Sequence, residues 1–183
     1  MLTWIIKNRL AAFERQHGYD ASHMRAVLDI DPKAFFAFAK VQKMSAYHRD
    51  VPRMVQYAAG ITALMAEDCG PCTQLAVGMA LADGCSQTVL ANVIAGDDIA
   101  LPDDVRLGVA FARAVLAHAA EADDLRDDIE KRWGKRAVVS LAMAITSARL
   151  YPTFKYALGF GKACTRVTVG DKQVIPRRVR VAA

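Results

Sequence analysis

Apolar residues recur every three or four positions along almost the whole chain, which is the spacing of one face of an α-helix. The spacing is especially regular from Val51 to Met65 and from Val105 to Leu116. With 54% hydrophobic residues in 183, the chain can bury a substantial core without metals or disulfide staples. We therefore predict an all-α fold of about nine or ten helices, forming a single domain over residues 1–165 with a helical extension at 1–30.

Helix start signals divide this pattern into elements. Asp31 followed by Pro32 predicts a cap and a first helical residue, opening an aromatic helix that continues to Met44. A ninth helix is expected around residues 138–145. Pro152 then predicts the start of a separate last helix that reaches Gly161.

The tail, residues 166–183, differs from the rest because its apolar residues alternate. Valines flank Gly170-Asp171, a dipeptide suited to a tight hairpin turn. They are Val167, Val169, Val179 and Val181. The pattern predicts a basic tail with a short β-hairpin.

The net charge of +5 does not favour a nucleic-acid partner. The tail carries five basic residues against Asp171, whereas residues 54–105 contain seven acids and no Lys or Arg. Such a segment repels phosphates. No stretch approaches about 18 uncharged residues, and the first residues do not resemble a signal peptide. We expect a cytoplasmic protein with neither a nucleic-acid nor a membrane partner.

The clearest chemical feature is the pair Cys69 and Cys72, separated by Gly70-Pro71. Because Pro71 predicts a helix start, both sulfurs would lie near unsatisfied amides and the positive end of the helix dipole, which lowers a thiol pKa. The spacing also permits a disulfide between them. Glu67 and the neighbouring carboxylate at 68 oppose thiolate formation unless the fold supplies a cation.

Three other interpretations of the pair are open. A thioredoxin carries the same tetrapeptide but needs a strand before it, whereas residues 54–66 have helical spacing. A zinc site needs two more ligands, and the histidines show no paired spacing, so we expect no metal. The four are His17, His23, His48 and His118. The third interpretation is a pair of small buried apolar side chains at a helix crossing.

The order of these features resembles the carboxymuconolactone decarboxylase and alkyl hydroperoxidase D superfamily. The resemblance extends from about Asp31 to Cys164. It depends on the Cys-x-x-Cys helix start, the small-residue helix ending at Gly84, and the Ala-rich run at 136–145. It implies an all-α fold, assembly into trimers or hexamers, and a Cys pair that cycles between dithiol and disulfide to reduce peroxides or to relay electrons.

The resemblance also implies a Glu twelve residues before the first Cys and a His four residues after the second. These positions are Tyr57 and Ala76, and neither side chain can replace a base at neutral pH. Glu67 is a candidate substitute, and Tyr57, Gln74 and His48 are possible supporting groups. His118 and Cys85 could also approach the pair, whereas the sequence assigns no role to Cys164.

We therefore expect a homo-oligomeric thiol oxidoreductase that acts on a peroxide or on a partner-protein disulfide. The resemblance implies that Cys72, as the more buried sulfur, attacks and that Cys69 meets the outside partner. No organic cofactor is expected, because there is no glycine-rich phosphate loop. Two alternatives are a decarboxylase-type lyase, which needs a base and a cation, and a non-catalytic scaffold with an interface lined by Phe35, Phe36 and Phe38.

Overall fold

The computed structural model describes residues 2–162 and 166–177. The helices are α1 (Leu2–His17), α2 (Ser22–Ile30), α3 (Pro32–Ala39), α4 (Val41–Ser45), α5 (Arg53–Ala66), α6 (Gly70–Ala82), α7 (Gln87–Ala95), α8 (Asp103–Ala117), α9 (Glu121–Trp133) and α10 (Lys135–Ala157). Strands β1 (Val167–Val169) and β2 (Lys172–Val174) form a short antiparallel hairpin. The predicted all-α fold with a small β-like tail is confirmed.

Capping side chains and turn residues set several helix boundaries where the sequence predicts them. The Asp31 carboxylate accepts a 2.8 Å hydrogen bond from the backbone amide of Lys33 and caps α3. Ser86 caps α7, which ends at Gly96 in the left-handed conformation with φ 70°. The local chemistry of these ends is therefore sufficient to place them.

Two expected helix boundaries are wrong. The aromatic helix is divided at Lys40, whose amide donates to Ala37 and Phe38 in a tightened turn while its φ of −64° stays helical. Conversely, Pro152 does not begin a new helix but lies within α10. Pro152 and Lys155 are both buried, so the packing of this part of α10 compensates for the backbone hydrogen bond that proline cannot make.

The predicted hairpin turn at Gly170-Asp171 is confirmed. Val167 pairs with Val174, and Gly170 turns the chain with φ 58°. A two-residue turn pairs the residues that follow it directly, so the partner strand is Lys172–Val174. Val179 and Val181 lie outside the described residues.

The main core, which we define as the buried apolar residues of α5–α10 and β1, is built around α5. Helices α8 and α10 pack along α5, and α6 and α7 contact it. Gly108 permits the close approach of α8, because a Cβ there would lie 2.5 Å from Val55 Cγ1. Val167 and Val169 of β1 are buried in the same core, which joins the hairpin to α6 and α7.

The first three helices form a much smaller N-terminal cluster, defined by the buried residues Val27, Leu28 and Phe35. The cluster contacts the end of α10 through Phe154. Phe38 stacks on that same ring, with centroids 3.9 Å apart and planes 13° apart. The N-terminal helices are thus attached to the main core through an aromatic contact with α10.

Among the described helices, α10 alone is long and apolar enough to cross a bilayer, judged by length and composition. Of its most apolar 18 residues, 44% are buried within the protein. Helix α10 packs against α5, α9 and α4. Its apolar character is therefore consistent with a central helix of the bundle.

Candidate dithiol site

The turn between α5 and α6 places the first cysteine. The Asp68 amide donates to Met65 at 3.1 Å and the Cys69 amide donates to Leu64 at 3.4 Å, the paired bonds of a Schellman motif. Asp68 occupies its left-handed position with φ 51°. The chain then turns directly into α6, whose first turn contains Gly70, Pro71 and Cys72.

The two predicted site cysteines are brought together at this helix start. Cys69 and Cys72 form a disulfide, with Cα atoms 5.4 Å apart. Both residues are buried, Cys69 at 0% and Cys72 at 5% exposure. The expectation that the second cysteine is the more buried is therefore wrong, because Cys69 is enclosed at the junction of two helices while Cys72 lies within the first turn of α6.

The end of α10 and the residues that follow it lie against the start of α6. The Gly70 amide donates to the Lys162 carbonyl at 3.3 Å. The Tyr156 hydroxyl donates to the Asp68 carbonyl at 3.2 Å. Residues 156–162, which we call the covering segment, therefore lie against the disulfide turn. Cys164 follows this segment but lies outside the described residues.

The fold supplies the cation that the sequence alone lacks near the pair. Arg149 of α10 contacts Glu67, with Nε 2.6 Å from a carboxylate oxygen. The Thr153 hydroxyl lies 3.5 Å from the other Glu67 oxygen. Glu67 is thus held by groups from α10, and part of the negative charge beside Cys69 is neutralised.

Tyr57 belongs to a different cluster. Its hydroxyl donates a 2.7 Å hydrogen bond to Asp83. Burial and this carboxylate raise the pKa of Tyr57 well above its ordinary value. The free thiol of Cys85 lies close to the same carboxylate, and burial, followed by Asp83, raises its pKa. Neither the Tyr57 hydroxyl nor the Cys85 thiol ionises readily near neutral pH.

Gln74 and His48 are also engaged elsewhere. Gln74 makes two backbone hydrogen bonds with Thr168 of β1, donating at 2.9 Å and accepting at 2.7 Å. His48 Nε2 donates to the Val51 carbonyl at 2.6 Å. His118 is exposed and ends α8 in the left-handed conformation. Gln74 is therefore a tether for the hairpin, and His48 a support for the turn before α5.

The three phenylalanines of the alternative interface do not share a surface. Phe35 is buried in the N-terminal cluster, Phe38 stacks on Phe154, and Phe36 is 45% exposed. No group of three or more potential metal-ligating side chains is present in residues 2–162 and 166–177. An open depression between α8 and α9, lined by Leu107 and charged residues, is formed by elements other than α5 and α6.

Sequence reasoning missed a buried polar cluster between α2 and α10. Lys155 Nζ lies 3.3 Å from the Tyr19 hydroxyl and 4.8 Å from the centre of its ring. His23 is buried beside them, and its Nδ1 has no hydrogen-bond partner among the described residues. Burial and the nearby Lys155 ammonium lower the pKa of His23 to about 4. The spacing of Lys155 along an apolar helix contained no signal for this contact.

The site at the start of α6 thus consists of a buried cysteine pair, a neutralised carboxylate at Glu67 and a covering segment. Its geometry permits reversible formation of a disulfide between neighbouring sulfurs. It contains no base at either position that the family resemblance implies, because these are Tyr57 and Ala76. Comparison of the chain with protein-family models, with curated proteins and with solved structures finds no match.

Proposed function

We propose that the protein is a thiol–disulfide oxidoreductase whose active group is the Cys69–Cys72 pair. The observation that carries the proposal is the joining of these two sulfurs at the first turn of α6. In the reduced protein, one thiolate attacks a sulfur of a partner disulfide and releases the other sulfur as a thiolate. The second cysteine then attacks the mixed disulfide, so the protein becomes the disulfide and the partner the dithiol.

Two electrostatic features support ionisation of a reduced cysteine. The positive end of the α6 dipole favours a thiolate over a thiol. Arg149 binds Glu67 and offsets the charge of the carboxylate two residues before Cys69. Together these features support the proposal against the opposing charge of Glu67.

Disulfide exchange is favoured over peroxide reduction. Exchange needs a thiolate and a leaving thiolate, both supplied by sulfur. Efficient peroxide reduction also benefits from a group that protonates the leaving oxygen. Tyr57 is directed to Asp83, and Ala76 carries no proton donor. We therefore propose a disulfide, in a protein or a small molecule, as the principal substrate and a peroxide as a slower one.

Access to the sulfurs requires movement of the covering segment. Its contacts with the turn include hydrogen bonds from the Tyr156 hydroxyl and to the Lys162 carbonyl. We propose that a partner displaces these bonds when it presents its own sulfur. A homo-oligomeric state and a cytoplasmic location are part of the same proposal and follow from the family resemblance and the composition.

A non-catalytic scaffold is the second candidate, and the burial of the pair favours it. At 0% and 5% exposure, Cys69 and Cys72 could serve as a structural staple between α5 and α6. In that case the disulfide would resist reduction by cellular thiols, with a reduction potential below about −300 mV. The two candidates therefore differ in a measurable quantity.

Equilibration of the purified protein in glutathione buffers, followed by alkylation and mass measurement, tests the proposal. We expect a potential within the range of known dithiol oxidoreductases, about −270 to −120 mV. Cys69→Ser and Cys72→Ser should each abolish disulfide formation and the reduction of an added small disulfide, whereas Cys85→Ser, the matched control, should retain both. A more negative potential, or unreactive thiols in the reduced protein, would support the scaffold instead.

A further inference from the structure

Helices α3 and α4 present a basic and aromatic face that the dithiol chemistry does not use. Lys33, Phe36, Lys40 and Lys43 are spaced by three, four and three residues, so they share one side of a helix. Lys40, between the two helices, keeps helical dihedral angles, and the side therefore continues from α3 into α4. We call these four residues the α3–α4 face.

The opposite side of α3 is firmly packed. Phe35 is buried with Val27 and Leu28, and Phe38 stacks on Phe154. Phe36 is therefore exposed because α3 packs against the protein with its opposite side, and not because α3 is loosely packed. Helix α3 therefore buries Phe35 and exposes Phe36 between lysines.

The positive charge of the face is uncompensated. Residues 32–45 contain three lysines and no acidic residue. None of Lys33, Lys40 and Lys43 forms an ion pair within the described part of the chain. The nearest carboxylate in sequence, Asp31, accepts the Lys33 amide as a helix cap.

Two further large apolar side chains are exposed in α1 and α2. Ile30, at the end of α2, is 81% exposed, and Trp4 of α1 is 67% exposed. An ion pair between Lys7 and Asp29, 2.6 Å long, holds α1 beside the end of α2. Trp4 lies one helical turn from Lys7, and Ile30 follows Asp29, so both apolar side chains occur near this contact.

We propose that the α3–α4 face, together with Ile30, docks the protein on the surface of an anionic lipid bilayer. Phe36 and Ile30 would enter the boundary between headgroups and acyl chains, while the three lysines contact lipid phosphates and carboxylates. A second copy is disfavoured, because it would bring like charges together. A nucleic acid would engage the lysines but leave the isolated apolar side chains without a partner.

This proposal departs from the expectation that no membrane partner exists. The sequence expectation considered membrane spans, whereas a docking surface depends on which side chains remain exposed after folding. Each lysine near an anionic surface contributes about a fivefold gain in affinity at low salt. The three lysines together should therefore change vesicle affinity by about 100-fold.

Co-sedimentation with vesicles tests the proposal. The oxidised full-length protein is mixed with vesicles of phosphatidylcholine alone or with 30% phosphatidylserine. We expect binding only to the anionic vesicles, weakened by salt. The triple variant Lys33→Glu/Lys40→Glu/Lys43→Glu should lose more than about 100-fold in affinity, because each substitution removes a lysine and adds a carboxylate, and Phe36→Ser should weaken binding with no change in net charge. The matched control, Lys131→Glu/Lys135→Glu/Lys172→Glu, changes the net charge equally and should retain most of the binding.

A second readout uses Trp4. The chain has two tryptophans, so Trp133→Phe leaves Trp4 as the reporter, and its emission should shift to the blue on anionic vesicles. Equal binding to both vesicle types, equal losses in the two triple variants, or capture of duplex DNA in preference to vesicles would overturn the proposal. So would a concentration-dependent dimer that Phe36→Ser dissociates, since that would identify a second copy as the partner. None of these readouts depends on the thiols.

Discussion

The main core and the N-terminal cluster are built from helices with the same apolar spacing, yet they differ in how completely they bury it. In the main core, α5 is surrounded by α6, α7, α8 and α10, and residues such as Leu141 and Ile61 are fully enclosed. In the N-terminal cluster, three residues are buried and several neighbours are only partly covered. Apolar spacing thus determines that a helix has a face to bury, whereas the number of neighbouring helices determines how much is buried.

The junction between the two regions is mixed in character. The Phe38–Phe154 stack is apolar, but Lys155, Tyr19 and His23 beside it are polar and buried. Lys162 lies 3.9 Å from Asp20 at the exposed edge. The buried ammonium contacts a hydroxyl and an aromatic ring. These contacts replace little of the hydration free energy that an ammonium loses on burial. The junction should therefore separate before the main core unfolds.

The largest effect is expected from truncating one leucine in each region. Leu141→Ala should cost about 3–5 kcal/mol in the free energy of global unfolding, since the main core cannot readily collapse around the cavity. Leu28→Ala should cost about 2–3 kcal/mol, confined to opening of α1–α3. Urea unfolding with amide exchange measures both. If Leu28→Ala lowered the protection of α5 and α8 as much as that of α2, the two regions would form one cooperative unit.

Acid should weaken the junction before it weakens the main core. The pKa of His23 is about 4 in the folded protein because of burial and Lys155, against an ordinary value of 6.5. The unfolded state therefore binds more protons between these values, and stability falls as pH drops from about 6.5 to 4, by on the order of 2–3 kcal/mol. Above pH 7 the contribution is constant.

Amide exchange in α2 as a function of pH measures this loss. His23→Phe should remove most of the pH dependence, because it replaces the buried imidazole with an apolar ring. His118→Asn is a suitable control, since His118 is exposed and Asn tolerates its left-handed conformation. Unchanged pH dependence in His23→Phe would place the titrating group elsewhere.

Reduction of the disulfide should destabilise the main core moderately. Opening a loop closed between Cys69 and Cys72 costs about 2 kcal/mol in the chain-entropy treatment of the unfolded state. Thermal unfolding with and without a phosphine reductant provides the comparison. Cys69→Ser/Cys72→Ser should behave like the reduced protein, and α1–α3 should keep the protection they have in the oxidised protein. An unfolded reduced protein would indicate a staple on which the whole fold depends.

The smallest effect is expected at the hairpin. Gln74→Ala removes two hydrogen bonds to Thr168 and should lower the free energy of local opening of β1 by about 1 kcal/mol. Exchange of the Val167 and Val169 amides reports the change. Gln42→Ala, at an exposed position on α4, should have no effect on β1. Equal protection in both variants would show that buried Val167 and Val169 alone hold the strand.

Local signals were sufficient for most of the fold. Asp31, Ser86 and Gly96 act through hydrogen bonds and backbone conformations that involve a few adjacent residues, so their sequence predictions are confirmed. Pro152 was misjudged because the cost of a proline inside a helix is local, whereas the packing that outweighs it comes from distant helices.

For the candidate site, the sequence by itself determined that two cysteines stand at a helix start with two residues between them, because Pro71 and the spacing are local properties. Tertiary structure alone decided that Arg149 neutralises Glu67, that the Tyr57 hydroxyl is bonded to Asp83, and that residues 156–162 lie against the turn at 68–70. These contacts join residues more than 25 positions apart. Which charges and hydroxyls meet across such separations depends on how the helices pack, and the one-dimensional pattern carries no record of that packing.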